Sequence, residues 1–333
     1  MAIKPIIKNT SYYVPNKELD NEYFIKHFRE NYDVDVTGLL NATGRNKRRV
    51  CDSDETILTM ALNSTKKVLE KSNLSEEDID MIVFSTGTPE FVQPCNALKL
   101  HNLLGCKKKV MIYDLNSSCV GMVVALTQVA TIMKNNPKIK NAIVVGAEQF
   151  FSFTPKNSEI PYSNFGESAC TILLENIETE DRGLLDYNFF TDSSIHDTIV
   201  LPTNGMKKAL LESPKDISEN MVSWIPFDAD ISVSSGITSI KDILEKNSID
   251  KSKIKKYFIS QFSKSMADLI SEALDEDVNK FKFIGDKYGY TGTTSPFIAL
   301  ADSLTNEEVS KGDYVLFWSV GSGFTCHTSL FKL

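Results

Sequence analysis

The sequence predicts an α/β protein of two similar halves, each a mostly parallel sheet covered by helices. Three observations carry that expectation. Apolar runs of strand length alternate with segments of helical periodicity along most of the chain, the pattern of strand–helix–strand units. Short runs such as Met81-Ile-Val-Phe-Ser-Thr are nearly continuous in apolar residues instead of alternating, as in strands buried on both faces. The rhythm then repeats, more weakly, beyond the polar stretch Asn176-Ile-Glu-Thr-Glu-Asp-Arg. That stretch puts a boundary between an N-terminal half, 1–175, and a C-terminal half, 176–333.

The elements follow in order. Thr56 to Lys71 carries Ile57, Leu58, Ala61, Leu62, Val68 and Leu69 at helical spacing. Ser75 with Asp78 three residues on resembles a capping box opening a short turn. Met81 to Thr86 reads as a strand, Pro94 to Leu104 as a helix, Val110 to Leu115 as a strand and Val120 to Lys134 as a helix. Asn141 to Glu148 and Cys170 to Glu175 are further strands. In the second half, 237–246 and 264–274 are predicted helices, and 257–260, 281–284 and 314–318 predicted strands. Thr294 to Leu304 is a helix opened by Ser295-Pro296 as N-cap and first helical residue.

Composition narrows the function. The 42% hydrophobic and 24% charged residues are those of an ordinary globular protein. No apolar run is long enough for a transmembrane helix, and Met-Ala-Ile-Lys-Pro-Ile-Ile-Lys is too soon interrupted for a signal peptide. A cytoplasmic protein without membrane partners is expected. The six cysteines have no paired spacing and the four histidines no ligand spacing, so neither disulfides, a metal nor another cofactor is indicated. A net charge of −8 disfavours nucleic acid as a partner. Two basic clusters, Gly44-Arg-Asn-Lys-Arg-Arg-Val50 and Lys107-Lys-Lys109, are either solvated loops or docking patches for an acidic partner or a phosphate.

Cys119 is the candidate with chemistry. In Val110-Met-Ile-Tyr-Asp-Leu-Asn-Ser-Ser-Cys-Val-Gly-Met-Val-Val it lies between a predicted strand and a helix that starts at once. A helix N-terminus carries a partial positive charge and unpaired N–H groups, which favour a nucleophilic thiolate. A buried structural thiol is the other reading of the same residue.

Seven segments in order widen the context: Asn9-Thr-Ser-Tyr-Tyr-Val-Pro, Thr43-Gly-Arg-Asn-Lys-Arg-Arg, Ser85-Thr-Gly-Thr-Pro, Asp114-Leu-Asn-Ser-Ser-Cys-Val-Gly, Val144-Val-Gly-Ala-Glu, Phe165-Gly-Glu-Ser-Ala and Val320-Gly-Ser-Gly-Phe-Thr. Together they resemble the thiolase-fold condensing enzymes, specifically the β-ketoacyl-acyl-carrier-protein synthase III family, over nearly the whole chain. The resemblance implies a thiolase-like fold of two duplicated halves packed as αβαβα layers. It implies Cys119 as the nucleophile that accepts an acyl group from an acyl-carrier-protein or acyl-CoA thioester. It further implies an oxyanion hole from the main-chain N–H groups of Cys119 and Ser322, and a homodimer.

The chain departs from that family at its other catalytic positions. The histidine of His-Gln-Ala-Asn falls at Ser260 and the asparagine of Gly-Asn-Thr-Ser at Tyr290. The tryptophan and arginines that hold coenzyme A fall at Gly38, Ala42 and Ser265. Ser260 and Tyr290 can donate hydrogen bonds and are the remaining catalytic candidates, but neither is a base near neutral pH. Losing one oxyanion donor typically costs about 100- to 1000-fold in rate. These departures favour an acyltransferase that loads Cys119 and passes the group on without decarboxylation. Its donor would arrive on an acyl-carrier protein docked at Arg45, Lys47, Arg48 and Arg49. A working synthase III in fatty-acid or polyketide-type synthesis, or a non-catalytic subunit beside a complete homologue, are the alternatives.

Overall fold

The computed structural model describes residues 2–212 and 216–333. Its strands are β1 (Ala2–Tyr13), β2 (Glu18–Asp20), β3 (Lys47–Arg49), β4 (Met81–Ser85), β5 (Met111–Leu115), β6 (Asn141–Glu148), β7 (Ser168–Thr179), β8 (Gly183–Thr191), β9 (Ile199–Val200), β10 (Ser223–Trp224), β11 (Ile254–Ile259), β12 (Tyr314–Gly321) and β13 (Thr325–Lys332). Its helices are α1 (Asn21–Tyr32), α2 (Thr37–Thr43), α3 (Ile57–Ser72), α4 (Asn96–Leu104), α5 (Gly121–Asn135), α6 (Glu159–Asn164), α7 (Gly205–Leu211), α8 (Asp230–Lys246), α9 (Lys264–Ala273), α10 (Gly285–Tyr288) and α11 (Ser295–Thr305).

Two sheets organise the molecule. The first has the order β1-β7-β6-β4-β5 and the second β11-β12-β13-β8. Their connectivity repeats. β4 and β6 are parallel and β7 antiparallel to both β6 and β1; β11 and β12 are parallel and β13 antiparallel to both β12 and β8. The fifth strand of the second sheet, predicted at 281–284, is reduced to a bridge between Tyr257 and Phe281. There the Phe281 ring stacks on Tyr257 at 4.5 Å. The predicted boundary at 175 falls inside β7, which runs on to Thr179 before the chain crosses to β8.

The pleat explains the layering. Met81 and Val83 of β4 face the central core, with Val144, Phe297 and Phe317, whereas Ile82 and Phe84 face an outer core with Ile57, Leu58 and Leu100. Outside the second sheet, Ile243 and Ile270 pack on Tyr257 and Trp318. Helices α3 and α4 thus cover one outer face, α8 and α9 the other, and α5 and α11 lie between the sheets, as the αβαβα expectation requires. The two central helices are apolar nearly all round, as buried helices are.

Local chemistry sets the boundaries. Thr56 and Thr59 form a reciprocal cap on α3, and Ser75 with Asp78 caps the turn before β4. Helix α11 differs from expectation: Thr294 is its N-cap and Ser295 its first residue, because the Ser295 hydroxyl turns back to Gly292 O at 2.8 Å. Helix α8 starts at Asp230, ahead of the predicted 237, through a Ser- and Gly-containing stretch of weak propensity. Packing overrides propensity here, since a Cβ at Gly236 would stand 3.1 Å from the Trp318 ring.

Candidate active site

Cys119 sits where β5 gives way to α5. Ser118 takes up a left-handed conformation, φ 51°, which reverses the chain sharply and leaves Cys119 just ahead of the helix. Helix α5 packs hard against its neighbours at this end. The Met122 N–H, one of its unpaired first-turn donors, is satisfied by the Thr293 hydroxyl at 2.6 Å. The Gly321-Ser322-Gly323 turn closes the other side. A Cβ at Gly321 would lie 2.8 Å from Ser117 O, and the Ser118 and Ser322 hydroxyls meet at 2.8 Å. The Cys119 carbonyl accepts from the Ser319 hydroxyl at 3.0 Å.

The thiol is half-buried and borders a cavity of about 480 Å³. Phe150, Phe165, Trp224, Phe227, Phe262 and Tyr290 supply aromatic wall. They pack on one another: Phe150 stacks on Phe165 at 5.0 Å, Trp224 on Phe262 at 5.5 Å, and Phe262 meets Tyr290 edge-on at 5.4 Å. Among the described residues that line it are Asp197 and Asp230 but no Lys or Arg.

The electrostatics correct one expectation. The helix N-terminus was expected to favour the thiolate, yet burial, and then the nearby Glu148, push the Cys119 thiol up to about 12. The Tyr290 phenol and the residue's own main-chain N–H act in the opposite direction. Tyr290 is itself held well above the ordinary phenol range, first by burial and then by Cys119, so it stays a donor. Glu148 is fully buried and pushed up to about 8 by that burial. Its carboxyl accepts from Gly87 N–H at 3.0 Å and from the Thr88 hydroxyl at 3.0 Å.

The family models for 3-oxoacyl-[acyl-carrier-protein] synthase III match residues 113–193, and those for its C-terminal part residues 244–333, together more than half the chain. The chain belongs to the 3-oxoacyl-[acyl-carrier-protein] synthase III family. The β-ketoacyl-[acyl-carrier-protein] synthase III of Clostridium perfringens is 29% identical over 332 residues, covering 96% of this chain and 97% of its own. That of Aliarcobacter butzleri is 26% identical over 325 residues, covering 96% and 95%. The fold is that of the Aquifex aeolicus synthase III crystal structure, with a TM-score of 0.85 at 23% identity over the full length of both chains.

Measured against the synthase III pattern, the predicted site residues separate. Cys119, Tyr290 and Ser322 all border the cavity. Ser260 does not: it is 1% exposed and stands behind Tyr290, donating from Oγ to the phenol oxygen at 3.4 Å. The docking cluster is corrected as well. Arg45 and Arg48 point inward and are 1% and 0% exposed. Arg48 donates to Ser163 O and Asn21 Oδ1 and packs its guanidinium over the Phe24 ring at 4.5 Å. Only Lys47 and Arg49 reach solvent, and both pair with Glu18, at 2.6 and 2.9 Å. The strand β2–β3 ladder makes the alternation: Lys47 and Arg49 share one face and Arg48 takes the other.

Two further residues escaped sequence reasoning. Glu148 was visible only as part of Val144-Val-Gly-Ala-Glu, with nothing to mark it as buried beside the thiol. His196 is the histidine that borders the cavity; its Nε2 lies 3.2 Å from Asp197 Oδ2 and its Nδ1 3.0 Å from Ser193 O. Among the described residues no cluster of His, Cys, Asp and Glu could hold a metal, and no helix is long and apolar enough to cross a membrane.

Proposed function

We propose that this chain is an acyltransferase of the synthase III family that loads Cys119 from an acyl-carrier-protein thioester and passes the acyl group to an acceptor without decarboxylating a malonyl unit. The observation that carries this reading is the packing of Tyr290 beside Cys119 on the cavity wall, with Ser260 buried behind it. Enolate stabilisation needs two donors converging on a thioester oxygen. Here one of the two residues is turned away from the cavity, and the other is a phenol packed beside Cys119.

In the loading step the sulfur attacks the thioester carbon, the acyl–sulfur bond to the donor breaks, and the thiol proton leaves with the donor's sulfur. Tyr290 steadies negative charge on the Cys119 sulfur as the proton departs. The main-chain N–H groups of Cys119 and Ser322 are the oxyanion donors in this reading, supported by the close approach of Gly321 to Ser117. A carrier-borne donor is favoured over free coenzyme A because the described lining offers no cation for the nucleotide's phosphates. Docking then falls to Lys47 and Arg49.

A homodimer is part of the reading. Among the described residues β5 has β4 on one side and no strand on the other, with Met111, Leu98 and Leu103 exposed nearby, so its free edge suits pairing with a second copy. Light scattering tests it, and a monomer overturns it.

A working condensing enzyme is the second reading, favoured by the synthase III names of the relatives. Intact-mass analysis decides. An adduct formed from acyl-carrier protein in the parent and absent in Cys119→Ala supports both enzymatic readings, and transfer where a malonyl thioester then releases no carbon dioxide. Carbon dioxide released on adding a malonyl thioester supports condensation. No adduct with any donor removes both and leaves a non-catalytic subunit.

A further inference from the structure

Arg45 is a buried cation whose hydrogen bonds all go to neutral oxygens, with its guanidinium over the Phe283 ring at 5.7 Å. Its Nε donates to Asn164 Oδ1 at 2.7 Å, and its Nη2 to Gln261 O and Phe262 O, each at 2.6 Å. Among the described residues no carboxylate lies within ion-pair distance, and Nη1 has no partner. Gly285 admits the group, since a Cβ there would collide with Nη1. Burying a charge is costly, and an apolar side chain of similar volume would fill such a space at less cost. The acceptors indicate what the fork achieves. Gln261 and Phe262 directly follow Ser260. Asn164 accepts the Tyr290 N–H on its main-chain oxygen at 2.8 Å, and Phe165 and Gly166 continue the contact as a bridge to Tyr290. The Phe262 ring lies edge-on to the Tyr290 ring.

One planar group therefore ties together the two segments that bracket the phenol, the loop after β11 and the end of α6. A guanidinium can do this because its donors are fixed in one plane; a lysine ammonium is a point charge on a flexible stem. We propose that Arg45 is a positioning residue, which sets the Tyr290 phenol against the Cys119 sulfur by clamping Asn164, Gln261 and Phe262 in one fork. It acts on the nucleophile only through Tyr290. The inference rests on Cys119 as the nucleophile of the proposed transfer, but the test reads the thiol itself. An absent acyl adduct would remove the transfer reading and leave these rates as they are.

The test is the rate at which iodoacetamide alkylates Cys119 at pH 8, followed on the Cys119 peptide in the full chain. Loss of a donor to a thiolate lowers the thiolate fraction by about tenfold. Arg45→Lys is expected to slow alkylation by about fivefold to tenfold, as Tyr290→Phe does. The double variant is expected to be no slower than Tyr290→Phe alone, because both changes remove one interaction. A merely structural role gives the opposite sign, since a loosened cavity admits the reagent faster. A parent-like or faster rate in Arg45→Lys, or additive slowing in the double variant, overturns the proposal. If Arg45→Lys fails to fold, Asn164→Ala decides: it deletes one acceptor of the fork and keeps the main-chain oxygen that holds Tyr290. Slowing of about threefold supports the proposal, and a parent-like or faster rate overturns it.

Discussion

The Tyr290 ring packs beside the Cys119 side chain on the cavity wall, and its phenol opposes the burial that raises the thiol's pKa. The pair joins the starts of the two central helices, since Tyr290 lies just ahead of α11 as Cys119 lies just ahead of α5. The two halves of the fold thus meet at Cys119, where a residue of the second half packs beside the thiol of the first. In Tyr290→Phe the ring and its stacking survive while the donor is lost. Alkylation of Cys119 at pH 8 is expected to fall about tenfold, with the melting temperature within a few degrees of the parent. An unchanged alkylation rate would mean that the phenol does not act on the sulfur.

Glu148 gives that thiol a second pH dependence. A simple thiol well below its pKa gains reactivity tenfold per pH unit. Glu148 loses its proton near pH 8, and its charge then opposes the thiolate. The alkylation rate of the parent should therefore rise less than tenfold per unit between pH 7 and 9. Glu148→Gln, which mimics the protonated acid, should restore the full slope. Stability carries the same signature. The folded-state pKa is raised from 4.5 to about 8, so the contribution is fully present below pH 4.5 and is lost as pH rises towards 8. His327 acts the other way: burial lowers it from 6.5 to about 4, so its contribution is present above pH 6.5 and is lost as pH falls to 4. Melting curves of Glu148→Gln against the parent separate the two, with a flatter profile between pH 5 and 9 expected for the variant. A parallel pair of profiles would count against the buried carboxyl.

The layered fold was legible because its strands and central helices are apolar in patterns that only a sandwiched position requires, as in Met81–Ser85 and the α5 stretch. The place of Cys119 between β5 and α5 was legible because a strand, a small turn and a helix follow one another in a dozen residues. What the sequence hid was direction. Arg45 and Arg48 read as part of a basic surface, and only the β2–β3 pairing and the space at Gly285 turn them inward. Ser260 read as facing the reaction, whereas the larger Tyr290 stands between it and the cavity. The thiol's ionisation was misjudged for a similar reason. The helix end is local and visible in the chain, but the apolar wall and Glu148 come from β6 and from distant loops.

Gly321 tests the proposed oxyanion role of the Ser322 turn apart from the Cys119 thiol. A Cβ at this position would meet Ser117 O at 2.8 Å and Val120 Cγ1 at 3.1 Å, both flanking Cys119. The turn carrying Ser322 has to move away to relieve the contact. Gly321→Ala is expected to cost about 1–3 kcal/mol of stability, measurable by urea unfolding. Acyl loading from a carrier thioester should fall by about 10- to 100-fold, part of what loss of a whole oxyanion donor removes. Iodoacetamide alkylation passes through no oxyanion and should hold its rate. Equal losses in both reactions would place the damage at the thiol and not at the Ser322 turn.

The replaced pair at Ser260 and Tyr290 can be tested by reversal. Ser260→His alone puts an imidazole into a site closed off by the Tyr290 ring, which is itself only 3% exposed, so the change should overpack and destabilise by about 1–3 kcal/mol. Tyr290→Asn alone opens space but leaves at the back of it a serine, which cannot exchange a proton near neutral pH. Only the two together give both room and imidazole. The double variant is expected to release carbon dioxide from a malonyl thioester at least about tenfold faster than either single variant, a share of the 100- to 1000-fold that one oxyanion donor supplies. Its Cys119 should alkylate more slowly than the parent's, because the phenol that supports the sulfur is gone. If the parent already decarboxylates as fast as the double variant, the substitutions at 260 and 290 have not removed condensation, and the chain is a working synthase with a different pair of donors.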